Sequence, residues 1–135
     1  MATFQRFEQI VVWQKAREFT RKIYEVTGQG AFARDFGLKD QLRDASVSIM
    51  SNIAEGYERS GNAEFKQFLS IAKGSSGEIR SELYVALDQR YITEATFTSL
   101  TNEAIEISKM LNSLMNYLQG SGIRGTKFKT TDPET

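Results

Sequence analysis

Apolar residues recur along most of the chain at intervals of three and four, which is the spacing of one face of an α-helix. Four stretches carry this pattern, at about 6–27, 38–57, 62–90 and 93–119. No stretch shows sustained alternation of apolar and polar residues, so we predict no strand. The predicted core positions are Val12, Ala16, Phe19, Ile23 and Val26 in the first stretch, Leu38, Leu42, Ala45, Ile49 and Ile53 in the second, Phe65, Phe68, Ala72, Ser76, Ile79, Leu83 and Ala86 in the third, and Phe97, Leu100, Ala104, Ile107, Leu111, Leu114 and Leu118 in the fourth.

Four amphipathic helices of similar length, joined by short connections, are expected to pack as antiparallel neighbours. We therefore predict an all-α fold, an antiparallel up-down-up-down four-helix bundle that occupies residues 1–119. Residues 120–135 are rich in Gly, Ser and Thr and predict a mobile C-terminal tail.

Local features of the connections add detail to this bundle. Asn62 and Thr93 precede or open helical stretches and have side chains that can cap a first turn. Phe32 and Phe36 lie in the first connection, and we expect them to fold back onto the end of the bundle.

The composition excludes several kinds of chemistry. The chain has no cysteine and no histidine, which removes thiolate sites, disulfides and the commonest general base and metal ligand. We predict no catalytic residue, no metal and no cofactor. Lys plus Arg and Asp plus Glu are 17 each, so no global charge favours a polyanion. No apolar run is long enough to span a membrane, and we expect a soluble cytoplasmic protein without a membrane partner.

Polar side chains share one face of the second predicted helix, beside its apolar positions. Side chains buried there need partners, because an unmade hydrogen bond costs about 1 to 3 kcal/mol. The third helix offers polar groups at a comparable level, and Gly74 and Gly77 are expected to let the two helices approach closely. We predict an interhelical polar network; a polar pocket in which Glu55 and Glu78 perform acid-base chemistry is the alternative. The network residues are Gln41, Ser48, Asn52, Glu55, Ser75 and Glu78.

Basic residues are concentrated on the first helix, which predicts a basic edge formed by Lys15, Arg17, Arg21 and Lys22. Cations of this kind neutralise phosphates, so RNA or DNA is a candidate partner. The alternative is a charged face that only contacts solvent. A second cluster in the tail combines Arg124, Lys127 and Lys129 with the ring of Phe128.

A second apolar line runs beside the core positions of the second helix and includes Val47, Met50 and Tyr57, and Tyr84 lies away from the main face of the third helix. A helix that is apolar on two sides needs two partners. Either the core is wide, or these four residues form an interface between copies of the chain.

The order of motifs resembles the four-helix-bundle protein family encoded in intervening sequences within bacterial 23S ribosomal RNA genes. The resemblance covers about residues 7–118 and implies the bundle and a ring-shaped homo-oligomer, with a pentamer as the expected copy number. It implies no activity. The motifs are Val-Trp-Gln-Lys-Ala at 12–16, Phe-Gly-Leu-Lys-Asp-Gln-Leu-Arg-Asp-Ala at 36–45, Ser-Ile-Met-Ser-Asn-Ile-Ala-Glu-Gly at 48–56, and Glu-Phe-Lys-Gln-Phe-Leu-Ser-Ile-Ala-Lys-Gly-Ser at 64–75.

A distant branch of similar bundles comprises the accessory proteins of diversity-generating retroelements, which are strongly basic and bind a reverse transcriptase and nucleic acid. This chain departs from that branch in its zero net charge. It also has Met50 where the family often has proline and Asp44 where a second arginine is common. The departure at Met50 puts a kink in the second helix in doubt.

Together these features predict a non-enzymatic oligomeric binding protein whose favoured partner is nucleic acid, ribosomal RNA in particular. The alternative function is an adaptor or scaffold for another protein, for example a reverse transcriptase.

Overall fold

The structure is a computed structural model that describes residues 4–120. The predicted segment 120–135 therefore lies, from residue 121 onward, outside the described residues. Within the described part the fold is all-α and contains no strand. The helices are α1 (Val11–Thr27), α2 (Phe36–Glu58), α3 (Asn62–Asp88) and α4 (Glu94–Gly120), with short 3-10 helices at Phe7–Gln9 and Gly30–Arg34.

Contacts between the helices establish an antiparallel bundle, as predicted. α1 packs on α2 and α4, and α3 packs on α2 and α4, so each helix has two neighbours and the four close around one core. In each pair of neighbouring helices, the contacting residues follow opposite sequence orders on the two helices. Between α1 and α4, for example, Lys15 meets Glu106 and Lys22 meets Glu103. The topology is therefore up-down-up-down.

Side-chain caps account for the starts of two helices. Asp35 accepts a hydrogen bond from the Leu38 amide at 3.2 Å and begins α2. Thr93 accepts one from the Thr96 amide at 3.1 Å, as predicted for α4. The predicted cap at Asn62 is wrong, because the N-cap of α3 is Gly61, whose φ of 125° suits only glycine. Asn62 instead donates to the carbonyl of Leu118 on α4.

The core follows the predicted periodicity with a few exceptions. Leu69 is fully buried although we did not place it in the core, and Phe68 beside it is only half-buried. Phe32 folds back as predicted and stacks on Tyr91, with ring centroids 4.9 Å apart. The same prediction is wrong for Phe36, which begins α2 and is 65% exposed.

Candidate functional site

The predicted polar network exists between α2 and α3 but is smaller than expected. The hydroxyls of Ser48 and Ser75 are hydrogen-bonded across the two helices at 3.0 Å. Asn52 donates from Nδ2 to the Ser48 carbonyl at 2.8 Å and to the Ser48 hydroxyl at 3.0 Å. These three side chains therefore link the middle of α2 to the middle of α3.

The other three predicted members are not in that hydrogen-bonded group. Glu55 forms an ion pair at 2.8 Å with Arg59, the C-cap residue of α2. Gln41 and Glu78 lie in a surface cleft of about 260 Å³ between α2 and α3, together with Asp44, Ala45, Ser48 and Ser75. Since Glu55 does not line this cleft, the structure does not bring together the two carboxylates of the acid-base alternative.

Glu82, which we did not single out, is the only buried carboxyl among residues 4–120. It lies one turn after Glu78 on α3, is only 7% exposed, and its Oε1 has no hydrogen-bond partner. Burial raises the pKa of Glu82 to about 7, and the charge of Glu78 and a hydrogen bond with it add to the effect. The sequence places Glu82 beside Leu83, on the edge of the apolar face of α3, and this position could have predicted its burial.

Close helix approach depends on Gly56, not on the glycines that we predicted. A Cβ at Gly56 would lie 2.8 Å from the Phe68 Cβ and 2.9 Å from the Phe65 Cδ1. A Cβ at Gly74 or Gly77 would meet no described atom within 4 Å. The prediction for Gly74 and Gly77 is therefore wrong, because both point away from α2.

The structure does not gather the four predicted basic residues of α1 into one edge. Lys15 and Lys22 contact Glu106 and Glu103 of α4 at 3.0 Å and 2.9 Å, so carboxylates neutralise both. Arg21 forms an ion pair with Glu18 of its own helix. Arg17 lies over the ring of Trp13, with its guanidinium carbon 6.0 Å from the centroid. Three of the four cations therefore already have a carboxylate partner.

The four residues of the predicted interface lie in different environments. Tyr57 is 1% exposed and donates to the Phe4 carbonyl, so it belongs to the core of the chain itself and the interface prediction is wrong for it. Met50 is half-buried against the core. Val47 is 40% exposed on α2, and Tyr84 is 57% exposed on α3, where its ring packs edge-on against Phe97 of α4.

One mixed apolar and arginine surface remains along the α1 and α2 pair. The Arg43 guanidinium lies 4.3 Å from the centroid of the exposed Tyr24 ring and donates to the Tyr24 carbonyl at 3.1 Å. Val47 and Met50 follow one and two turns after Arg43 on α2. We call this surface the α1/α2 face, and it consists of Trp13, Arg17, Tyr24, Arg43, Val47 and Met50.

Two kinds of site do not occur in the part of the chain that the structure describes. Residues 4–120 hold no cluster of three or more acidic side chains arranged to bind a metal ion. Over the same residues, no helix has both the length and the apolar character needed to cross a bilayer.

Comparison with known families agrees with this bundle. The family described as 23S rRNA-intervening sequence protein matches residues 8–113, which is most of the chain and extends from just before α1 into the last third of α4. The chain belongs to this family. No curated protein matches the chain.

A solved structure supports the same assignment to the 23S rRNA-intervening sequence proteins. It is the crystal structure of a protein of unknown function from the S23 ribosomal protein family of Bacteroides thetaiotaomicron. The two chains are 28% identical and superpose with a TM-score of 0.72, over 78% of this chain and 96% of the other.

One departure from the family pattern has a structural outcome. α2 continues without a break from Phe36 to Glu58 and passes Met50, where the resemblance led us to expect proline in a typical family member. Methionine retains the backbone N–H that proline lacks, so the helix continues through this position.

Proposed function

We propose that this member of the 23S rRNA-intervening sequence family is a non-catalytic binding protein that works as a homo-oligomer. The observation that carries the proposal is the composition of the α1/α2 face. Self-association would bury the exposed apolar part of this face against a second copy. The assembled oligomer would then bind a macromolecule.

The α1/α2 face has the composition that protein interfaces favour. Aromatic residues, methionine and arginine are enriched at interfaces, whereas lysine and carboxylates are depleted from their centres. Trp13, Tyr24, Val47 and Met50 supply the apolar part. Arg17 and Arg43 lie on aromatic rings, which orders both side chains before a second copy arrives.

Internal hydrogen bonding of the polar groups supports a role without catalysis. Ser48 is hydrogen-bonded to both Asn52 and Ser75, and among residues 4–120 no carboxylate is hydrogen-bonded to either serine hydroxyl as an activating base. The chain has no histidine or cysteine that could act as such a base or as a nucleophile.

Light scattering tests the assembly. We expect a molar mass that is a multiple of the 15.3 kDa chain, and about five times that mass for the pentamer that the family resemblance implies. Val47→Asp should lower this mass, because it places a charge in the centre of the α1/α2 face.

Val11→Asp provides a matched control, because Val11 is 57% exposed at the start of α1 and outside the α1/α2 face. It should leave the mass unchanged, and circular dichroism should show full helicity for both variants. A wild-type protein that scatters as a single chain at all concentrations would contradict the proposal.

A further inference from the structure

A row of cations on α3 lies along its border with α4. Lys66, Lys73 and Arg80 are seven residues apart, which is close to two helical turns, so they form one line of about 21 Å. Lys66 donates from Nζ to the Gln119 side chain of α4 at 2.7 Å, which fixes the side of α3 on which the row lies.

A surface cleft lies beside the middle of this row, and a fourth cation, Lys109 of α4, lines it together with Lys73. The cleft has a volume of about 470 Å³ and combines two ammonium groups, those of Lys73 and Lys109, with neutral hydrogen-bonding groups from α4. Those neutral groups belong to Ser108, Asn112 and Ser113. No carboxylate lines this cleft.

These cations differ from Lys15, Arg21 and Lys22 of α1, each of which has a carboxylate partner. Among residues 4–120, no carboxylate lies within ion-pair distance of Lys73, Arg80 or Lys109. Glu103 and Glu106 of α4 form their ion pairs with the lysines of α1. The positive charge of this surface is therefore available to a ligand although the whole chain is neutral.

An exposed aromatic ring continues the row. Tyr84 lies one turn after Arg80 on the same side of α3 and is 57% exposed. Its ring forms an edge-to-face pair with Phe97 of α4, with centroids 4.8 Å apart, so this contact holds the ring while more than half of the residue remains exposed. We call Lys66, Lys73, Arg80, Tyr84, Ser108, Lys109 and Asn112 the α3/α4 surface.

We propose that the α3/α4 surface binds single-stranded RNA. A track of cations beside an exposed aromatic ring is the combination by which proteins hold single strands, with phosphates on the cations and an unpaired base stacked on the ring. The Ser108 hydroxyl and the Asn112 amide can exchange hydrogen bonds with 2′-hydroxyls, which distinguish RNA from DNA. A duplex would satisfy the cations but would offer no free base to Tyr84.

This inference names the partner of the proposed binding protein and therefore rests on that function, but it does not depend on self-association. The α3/α4 surface shares no residue with the α1/α2 face. Light scattering thus tests the assembly, and RNA binding tests the present inference, so that either can fail alone.

Fluorescence anisotropy with a labelled oligouridine RNA of about 12 nucleotides tests the cation row. The triple variant Lys73→Gln, Arg80→Gln, Lys109→Gln should bind at least about tenfold more weakly than the wild type. The slope of log affinity against log salt should fall in magnitude by about 2, since each lost single-strand phosphate contact contributes about 0.7.

The triple variant Lys15→Gln, Arg21→Gln, Lys22→Gln is the matched control, because it removes the same charge from α1 and leaves the α1/α2 face intact. It should bind the RNA within about twofold of the wild type, since all three cations already have carboxylate partners. Equal losses in the two triple variants, or no binding by the wild type, would overturn the proposal.

Tyr84→Ala tests the stacking role and should weaken binding of the single strand by about tenfold, whereas Tyr84→Phe should retain it. Neither variant should change binding to duplex RNA. A loss of the same size with duplex RNA would overturn the stacking role. Oligodeoxyuridine should bind more weakly than the RNA, and equal affinity would overturn the assignment of RNA.

Discussion

The burial and the pKa of a carboxyl side chain on α3 depend on the residues that surround it. Glu78 and Glu82 are one turn apart, yet only Glu82 is buried with an unpartnered oxygen. Burial and the neighbouring Glu78 charge raise the pKa of Glu82 to about 7. The folded protein therefore holds a proton on this carboxyl that the unfolded chain releases at lower pH.

The pKa of Glu82 predicts how stability depends on pH. Between pH 4.5, the ordinary value, and about 7, the folded state binds more protons than the unfolded state. The contribution of Glu82 to the free energy of unfolding should therefore fall as pH rises through this window and stay constant above it. Chemical denaturation of wild type and Glu82→Gln measures this difference, and Gln should be the more stable side chain at about pH 8.

Glu78→Gln serves as the control for this experiment. It removes the neighbouring charge and should lower the pKa of Glu82, which moves the upper limit of the window to lower pH. If Glu82→Gln lost stability with rising pH as steeply as the wild type, the dependence would come from other groups.

At the scale of helices, the contact between α2 and α3 is set by small residues. Gly56 on α2 lies against Phe65 and Phe68 of α3 with no room for a methyl group. Further along the same pair, the Ser48 and Ser75 hydroxyls meet at 3.0 Å. Short side chains at both levels let the backbones approach, and the serine pair satisfies the polar groups that this approach buries.

Replacing glycine on α2 and on α3 should have opposite effects. Gly56→Ala should destabilise the protein by about 1 to 3 kcal/mol, because the new Cβ overlaps the Phe65 and Phe68 side chains. Gly74→Ala adds the same group where no described atom lies within 4 Å, and should stabilise α3 by up to about 1 kcal/mol. Urea denaturation of the two variants measures both values, and a loss at Gly74 as large as that at Gly56 would contradict the assignment of the close contact.

For the molecule as a whole, zero net charge conceals an uneven distribution. The border of α1 and α4 carries paired charges, the cleft between α2 and α3 has Asp44 and Glu78, and the α3/α4 surface carries unpaired cations. The α1/α2 face is apolar and arginine-rich. The four sides of the bundle therefore differ chemically, which allows self-association on one side and ligand binding on another.

Thermal unfolding at several protein concentrations should report the assembly. If subunits bind one another only when folded, the apparent Tm of the wild type rises with concentration. Val47→Asp should have a lower Tm that changes little with concentration, whereas Val11→Asp should behave as the wild type does. A wild-type Tm that is independent of concentration, together with a single-chain mass, would show that the α1/α2 face does not associate.

The sequence alone was sufficient to predict the helices and most of the core. Periodicity of three and four placed Ile23, Ile49, Ile79 and Ile107 in the interior, and all four are fully buried. This works because burial of one helix face is a local pattern, which depends on the residue type and the 3.6-residue turn and not on which helix lies opposite. The family resemblance and the absence of strands likewise followed from patterns within the chain.

Only the tertiary structure decided which interactions are formed by residues at the borders between helices. Lys15 and Arg17 are two residues apart, but the first pairs with Glu106 of α4 and the second lies on the Trp13 ring. The row of Lys66, Lys73 and Arg80 is visible in the sequence, yet only the structure shows that no described carboxylate lies within ion-pair distance of Lys73 or Arg80. Charge, pKa and access depend on distances between residues far apart in the chain, and helix packing alone sets those distances.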